Sequence, residues 1–201
     1  MNEKKIFTVL RFATIYDLEI PSNGFEYVSL EMPQIVEIAA VKVSNGEILG
    51  HYHTFVAIDG YDVSNLEFGD IASNFYRLRP EHLIGAPNMK TVIESLAQYI
   101  GDSVIVVART GADTLDDFNI FKEKAKELGF PVQNEVIGLF DGFDEDRDIR
   151  DVLLDYGICF DPECDDPTYG DRHDPLTWAL MDAKFLIALI DDGKLGNSFP
   201  F

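Results

Sequence analysis

The stretch QIVEIAAVKVSNGEILGHYHTFV, residues Gln34 to Val56, decides the fold that is expected for this chain of 201 residues. Its first half, Gln34 to Val43, is rich in Ile and Val, which is typical of a strand. Asn45-Gly46 is a hairpin turn signal, and Glu47 to Val56 continues as a second strand. The stretch therefore predicts two antiparallel neighbouring strands.

The segment ahead of this hairpin, Ile6 to Ile20, reads as another strand and ends in IYDLEI. Residues two apart on a strand point to the same face, so Asp17 and Glu19 present two carboxylates side by side. Like charges this close are costly unless a cation lies between them, and Mg2+ is usually held by one or two carboxylates. The alternative is an exposed strand end with two solvated acids.

Beyond the hairpin, helices alternate with strands. The expected elements are a helix from Ala86-Pro87 to Ile100, a strand from Ser103 to Ala108, a helix from Asp116 to Leu128, a strand from Glu135 to Phe140, and helices at Ile149 to Tyr156 and Pro175 to Ile190. This order predicts an α/β fold with a mixed central sheet, antiparallel at its N-terminal strands and flanked by helices. The length predicts a single domain over residues 1–201.

The composition restricts the compartment and the partners. Lys4 and Lys5 precede an apolar run, but Arg11 breaks it and no cleavage site follows, so neither a cleaved signal nor a membrane span is expected. Cys159 and Cys164 have no CxxC or His-rich company, which favours a reducing, cytoplasmic setting. The formal net charge of -20 repels polyanions unless metal ions or a basic patch intervene, and an acidic surface that keeps the chain soluble is the simpler explanation of that charge.

A buried acid is expected in the last helix. Between Trp178 and Ile190 the only charged residues are Asp182 and Lys184, and at about 100° per residue they lie on opposed faces. Asp182 shares its side with the apolar residues, where an unpaired charge is expensive without a metal or a hydrogen-bond partner. A half-exposed position for Asp182 is the alternative.

A third acidic group, Asp113, Asp116 and Asp117, lies at the start of a helix, where the helix dipole alone favours carboxylates. Asp117 falls on the apolar stripe of that helix, whereas Asp116 is rotated away from it. A strand pair, a helix start and a late helix that each offer a carboxylate are what a two-metal phosphoryl-transfer site needs.

The order of these residues resembles the DnaQ-like superfamily of DEDD 3'-to-5' exonucleases, which share a ribonuclease H-like fold. Tyr16-Asp17-Leu18-Glu19 is similar to its D-x-E motif, and GAPNMKTVIESLAQYI and SVIVVA resemble the elements before its second motif. The resemblance implies that Asp17, Glu19, Asp117 (with Asp116 as the fallback) and Asp182 bind two Mg2+ or Mn2+ ions.

The chain departs from the family pattern at the proton-transfer end. Thr177 stands where the DEDDh branch has its histidine, and Trp178 stands where the DEDDy branch has its tyrosine. His173, in GDRHDP, lies about one helical turn too early and is the candidate general base, with an ordinary loop histidine as the alternative. The Arg109-Thr110 pair and the Tyr76 to Arg79 segment also depart from the family residues.

The resemblance implies a 3'-5' exonuclease that hydrolyses phosphodiester bonds at the 3' end of single-stranded DNA or RNA by a two-metal-ion mechanism. The alternative is a catalytically impaired exonuclease fold that acts as a binding or regulatory module. A third hypothesis is an acidic nucleic-acid mimic that binds a basic partner. No membrane partner is expected, and the sequence leaves a homodimer or another protein partner open.

Overall fold

The computed structural model describes residues 5–20, 26–60, 67–68, 78–108, 117–141, 143, 147–158 and 175–193. The strands are β1 (Phe7–Ile20), β2 (Glu26–Ser44), β3 (Glu47–Phe55), β4 (Glu67–Phe68), β5 (Val104–Val107) and β6 (Val136–Gly138). The helices are α1 (Pro80–Leu83), α2 (Met89–Ile100), α3 (Asp117–Glu127), α4 (Ile149–Asp155) and α5 (Pro175–Asp191). None of these helices is long and apolar enough to cross a membrane.

The strands form one mixed sheet in the order β3-β2-β1-β5-β6. β1, β2 and β3 are antiparallel neighbours, and β5 and β6 continue the sheet in parallel with β1. The Asn45-Gly46 turn joins β2 to β3 with positive φ at both residues, which Asn and Gly tolerate. The predicted α/β fold with antiparallel N-terminal strands is therefore confirmed.

β1 pairs with different strands along its length. Its start, Phe7 to Val9, pairs with β5, whereas Leu18 and Glu19 near its end pair with β4. Its register with β2 shifts between Ala13 and Thr14 and again between Ile15 and Asp17. The second shift lies close to Pro33 of β2, a residue that has no N–H for the ladder.

The two faces of the sheet carry separate apolar cores, since alternate residues of β1 point to opposite faces. Val9 belongs to the core covered by α5, where Phe185 stacks on Phe140 with ring centroids 5.2 Å apart. Leu10 and Phe12 belong to the core covered by α2 and α3. α5 therefore lies on the face to which the odd-numbered residues of the first half of β1 point.

The expected elements are all present, with moderate changes at their ends. β2 begins at Glu26, earlier than expected, while β5, β6 and α3 are slightly shorter than their predicted ranges. The helix expected after Ala86-Pro87 begins at Met89, because the Asn88 side chain accepts a hydrogen bond from the Thr91 N–H and caps it. β4 and α1 have only two and four residues, which is too short for a periodic pattern from which they could be predicted.

Candidate functional site

Asp182 lies in the eighth position of α5 and its side chain is 0% exposed. It is surrounded by the apolar residues of that helix, among them Phe185 and Leu186. Lys184, two residues later, is exposed. The predicted inward position of Asp182 is confirmed, and the half-exposed alternative is wrong.

The partner of this buried carboxylate is an arginine of the sheet. Arg11 Nε in β1 donates a hydrogen bond to Asp182 Oδ2 at 2.6 Å. The guanidinium carbon of Arg11 also lies 5.2 Å from the centre of the Trp178 ring, one turn earlier on α5. α5 therefore holds Arg11 by an ion pair and by a cation–π contact.

The ion pair uses only part of the hydrogen-bonding capacity of its members. Arg11 Nη2 and Asp182 Oδ1 are buried and have no hydrogen-bond partner among the residues that the structure describes. An arginine–carboxylate pair commonly forms two parallel bonds, whereas this pair forms one. Each buried polar atom left without a partner costs about 1–3 kcal/mol.

Burial dominates the electrostatics of Asp182. Loss of solvent raises the pKa of its carboxyl group above the ordinary value, and the charge and the hydrogen bond of Arg11 oppose that rise. A buried ion pair of this kind is expensive to desolvate, so its presence is a specific feature of the site rather than a general source of stability.

A second buried carboxylate lies on the next row of the same sheet face. Glu37 of β2 is cross-strand partner to Ala13, and Ala39 is partner to Arg11. The Glu37 side chain is 3% exposed, and its Oε1 lies 2.6 Å from His53 Nε2 of β3. Residues diagonal to one another on a sheet have Cβ atoms roughly 7–8 Å apart, so Glu37 is a near neighbour of Arg11.

The first predicted motif is further along β1. Asp17 follows Arg11 by six residues, which at about 3.3 Å per residue places their backbones roughly 20 Å apart along the strand. In the register of the sheet, Asp17 pairs with Ser29, and Glu19 pairs with Tyr27 on one side and Glu67 on the other. This part of β1 lies inside the sheet rather than at a free edge.

Asp117, the second-motif candidate, is the first residue of α3 and is half-buried. Thr177 lies in the first turn of α5. The fallback Asp116, its neighbour Asp113 and the candidate base His173 lie outside the described residues. Their roles therefore stay predictions.

The direction of α5 separates Asp182 from the end of β1. A Cβ built on Gly46, in the β2–β3 turn, would lie 3.8 Å from Asp191 Oδ1, so α5 ends near the start of β1. Asp182 contacts Arg11 in the first half of that strand. The structure thus brings Asp182 to Arg11 and places Asp17 several residues beyond both of them.

The family resemblance implies two divalent ions, which need several oxygen or nitrogen ligands around each of them. The carboxylate in the third-motif position is already neutralised by a guanidinium, and that positive charge repels a divalent cation. Within the described ranges, no three His, Cys, Asp or Glu side chains come close enough to hold one ion together. The described part of the site does not fit a metal bound through Asp182.

Arg11 is the site residue that the sequence interpretation missed, since the interpretation noted it only as an interruption of an apolar run. Its signal was available. A single cation in a strand that is otherwise uncharged from Ile6 to Ile15 needs a counter-charge, just as a single inward anion in the last helix does.

The fold is that of the 3'-exonucleases. One similar solved structure is a 3'-exonuclease, described for 3'-end specific recognition of histone mRNA stem-loop. It matches this chain with a TM-score of 0.65 and 12% sequence identity, over 96% of this chain and 84% of that one. Exonuclease X in complex with 5' overhanging duplex DNA has a TM-score of 0.58 and 16% identity, over 93% of each chain. E. coli exonuclease I in complex with a dA16 oligonucleotide has a TM-score of 0.59 and 10% identity, over 96% of this chain and 42% of that one.

The sequence is also similar to part of a much longer protein. The PolC-type DNA polymerase III of Staphylococcus aureus is 25% identical over 153 residues, which is 76% of this chain and 10% of the polymerase. No family model matches the chain. Together with the fold, this similarity confirms the resemblance to the DnaQ-like exonuclease superfamily that the motifs suggested.

Proposed function

We propose that this chain is a catalytically impaired protein of the exonuclease fold, which binds the 3' end of single-stranded nucleic acid as a binding or regulatory module. The observation that carries the proposal is the ion pair between Asp182 and Arg11, at 2.6 Å and with Asp182 fully buried. The ligand class is supported by the shared fold, since the solved relatives are described with a histone mRNA stem-loop, a DNA duplex and an oligonucleotide.

The energetics of the pair support the loss of hydrolysis. To reach a metal, Asp182 must leave the half-buried Arg11 side chain, whose Nη2 atom is itself buried without a hydrogen-bond partner among the described residues. Breaking a buried pair in this way costs about 3–5 kcal/mol. A shared two-metal site would also require ions about 3.5–4 Å apart, whereas roughly 20 Å of strand separates Arg11 from Asp17.

The second candidate is the active 3'-5' exonuclease, with Mg2+ or Mn2+ held by Asp17, Glu19, Asp117 and Asp182 and with His173 as the general base. The specific observation in its favour is the register of β1 with β4, in which Glu19 and Glu67 are cross-strand partners. Like charges directly opposite one another are destabilising, so a cation near this end of the strand would stabilise the sheet.

The two candidates differ in one measurement. Labelled single strands of DNA and of RNA are incubated in Mg2+ or Mn2+ with the wild-type protein and with an Asp17→Ala, Glu19→Ala double variant. The proposal expects binding of the strand, seen by fluorescence anisotropy at low salt, without release of nucleoside 5'-monophosphates. Metal-dependent release that the double variant loses would establish the exonuclease instead, and failure of every strand to bind would refute the proposed ligand.

A further inference from the structure

We infer that the Arg11 guanidinium is the resident cation of a latent divalent-metal site, so that a carboxylate in place of Arg11 converts the Asp182 pocket into one that binds Mn2+ or Mg2+. The inference rests on the proposed function, because it explains which residue keeps metal away from Asp182.

The Asp182 carboxylate needs a cation. Asp182 is fully buried in α5, and a buried carboxylate requires either a positive partner or protonation. Arg11 supplies the positive charge through one short hydrogen bond. In a metal-dependent enzyme a divalent ion supplies the same neutralisation, so the guanidinium and a metal compete for the same carboxylate.

The Asp182 carboxylate has one oxygen that Arg11 does not use. Asp182 Oδ1 is buried and has no hydrogen-bond partner among the described residues, although it belongs to the same carboxylate that binds Arg11. A carboxylate oxygen of this kind is a ligand that Mg2+ and Mn2+ prefer. The pocket therefore contains an oxygen donor that Arg11 does not satisfy.

Glu37 is the neighbour that would help to complete a set of oxygen ligands. Arg11 and Glu37 are diagonal neighbours in the sheet, and Glu37 is a second buried carboxylate. The residues between them in the register are Ala13 and Ala39, which are small. Replacing the long Arg11 side chain by Asp would put a third carboxylate on this sheet face, diagonal to Glu37 and below the helix that carries Asp182, and would leave space for an ion and its waters.

The test compares Mn2+ binding to four chains: the wild type, Asp182→Asn, Arg11→Asp, and Arg11→Asp combined with Asp182→Asn. Free Mn2+ is measured by electron paramagnetic resonance during titration, and thermal unfolding is recorded with and without the ion. We expect Arg11→Asp to bind Mn2+ at least about tenfold more tightly than the combined variant does. We expect the wild type and Asp182→Asn to respond to Mn2+ alike.

If Arg11→Asp does not fold alone, the inference still predicts that it folds when Mn2+ is added and that the combined variant shows no such dependence on Mn2+. An Arg11→Asp chain that gains no Mn2+ affinity, or that stays unfolded with the ion, would refute the latent site. Loss of wild-type Mn2+ binding in Asp182→Asn would show that Asp182 already binds metal. Neither result depends on nucleic-acid binding, so a failure of the proposed function is separately visible.

Discussion

Trp178 lies against the guanidinium of Arg11, 5.2 Å from ring centre to guanidinium carbon, one helical turn before the aspartate that binds the same group. Two consecutive turns of α5 therefore contact the arginine. Because Arg11 lies in the sheet, these contacts are part of the packing of α5 against β1. Substitutions in this triad should change the stability of the whole domain as well as the site.

Removing one member of the Arg11–Asp182 pair should destabilise the fold strongly. Arg11→Met leaves the fully buried Asp182 without its partner, at a cost of about 3–5 kcal/mol in the free energy of unfolding, and Asp182→Leu should cost less because 21% of the Arg11 side chain is exposed to solvent. The double variant removes both charges and should regain most of this loss. Urea denaturation of the wild type, the two single variants and the double variant measures the free energies of unfolding. Lys184→Met, at an exposed position of the same helix, is the control and should change the free energy of unfolding by no more than about 0.5 kcal/mol. Additive losses in the double variant would contradict the coupling.

The cation–π contact should appear as a coupling between Trp178 and Arg11. Trp178→Leu removes the aromatic face, so it should cost about 0.5–1 kcal/mol more in the wild-type background than in Arg11→Met. The same denaturation experiments give this difference, read by far-ultraviolet circular dichroism because the variant lacks the only tryptophan. Equal costs in the two backgrounds would show that the ring contributes only apolar packing.

The burial of Asp182 predicts a distinct dependence of stability on pH. Its folded pKa is raised, so between the ordinary aspartate pKa, about 3.9, and the folded value the folded chain binds more protons than the unfolded one. Stability contributed by this group is thus lost as the pH rises through that interval. Unfolding free energies of wild type minus Asp182→Asn, measured across the interval, should fall with pH. Subtracting the variant removes the pH dependence that the other acidic residues contribute to both chains. A difference in unfolding free energy that rises with pH would contradict a raised pKa of Asp182.

The Glu37–His53 contact should be worth more than its partly exposed position suggests. His53→Ala leaves the buried Glu37 carboxylate without this partner, which should lower the free energy of unfolding by about 1–3 kcal/mol. His53→Gln, which keeps a donor, should recover part of the loss. His51→Ala on the same strand is the matched control, because both histidines are exposed and it is His53 that contacts Glu37. A loss in His51→Ala equal to that in His53→Ala would assign the effect to the strand rather than to the contact.

Much of the fold was accessible from local patterns. The hairpin followed from Asn45-Gly46, and the inward position of Asp182 followed from the phase of an apolar helix whose two charged residues, Asp182 and Lys184, lie on opposed faces. Such patterns express backbone preferences and burial, which neighbouring residues largely determine. Short elements such as β4 depend on pairing with a distant strand and have no local period to detect.

The counter-charge of Asp182 was not accessible in the same way. The helical phase showed that this carboxylate needs a cation, but a divalent ion and an arginine satisfy that need equally well. Arg11 lies 171 residues earlier in the chain, and only the packing of α5 across β1 brings the two together. The family resemblance favoured metal ligation, and the contact with Arg11 provides the competing assignment.

The two register shifts between β1 and β2 divide β1 into segments that pack against different neighbours. The segment with Arg11 is fixed by β5 and α5, and the segment with Asp17 and Glu19 is fixed by β4 and the beginning of β2. At these irregularities β2 carries extra residues that β1 lacks, one at the first and three at the second, and the regular pairing resumes beyond each of them. A substitution of Arg11 therefore leaves the strand pairing of Asp17 and Glu19 unchanged, so the two segments of one strand can vary independently.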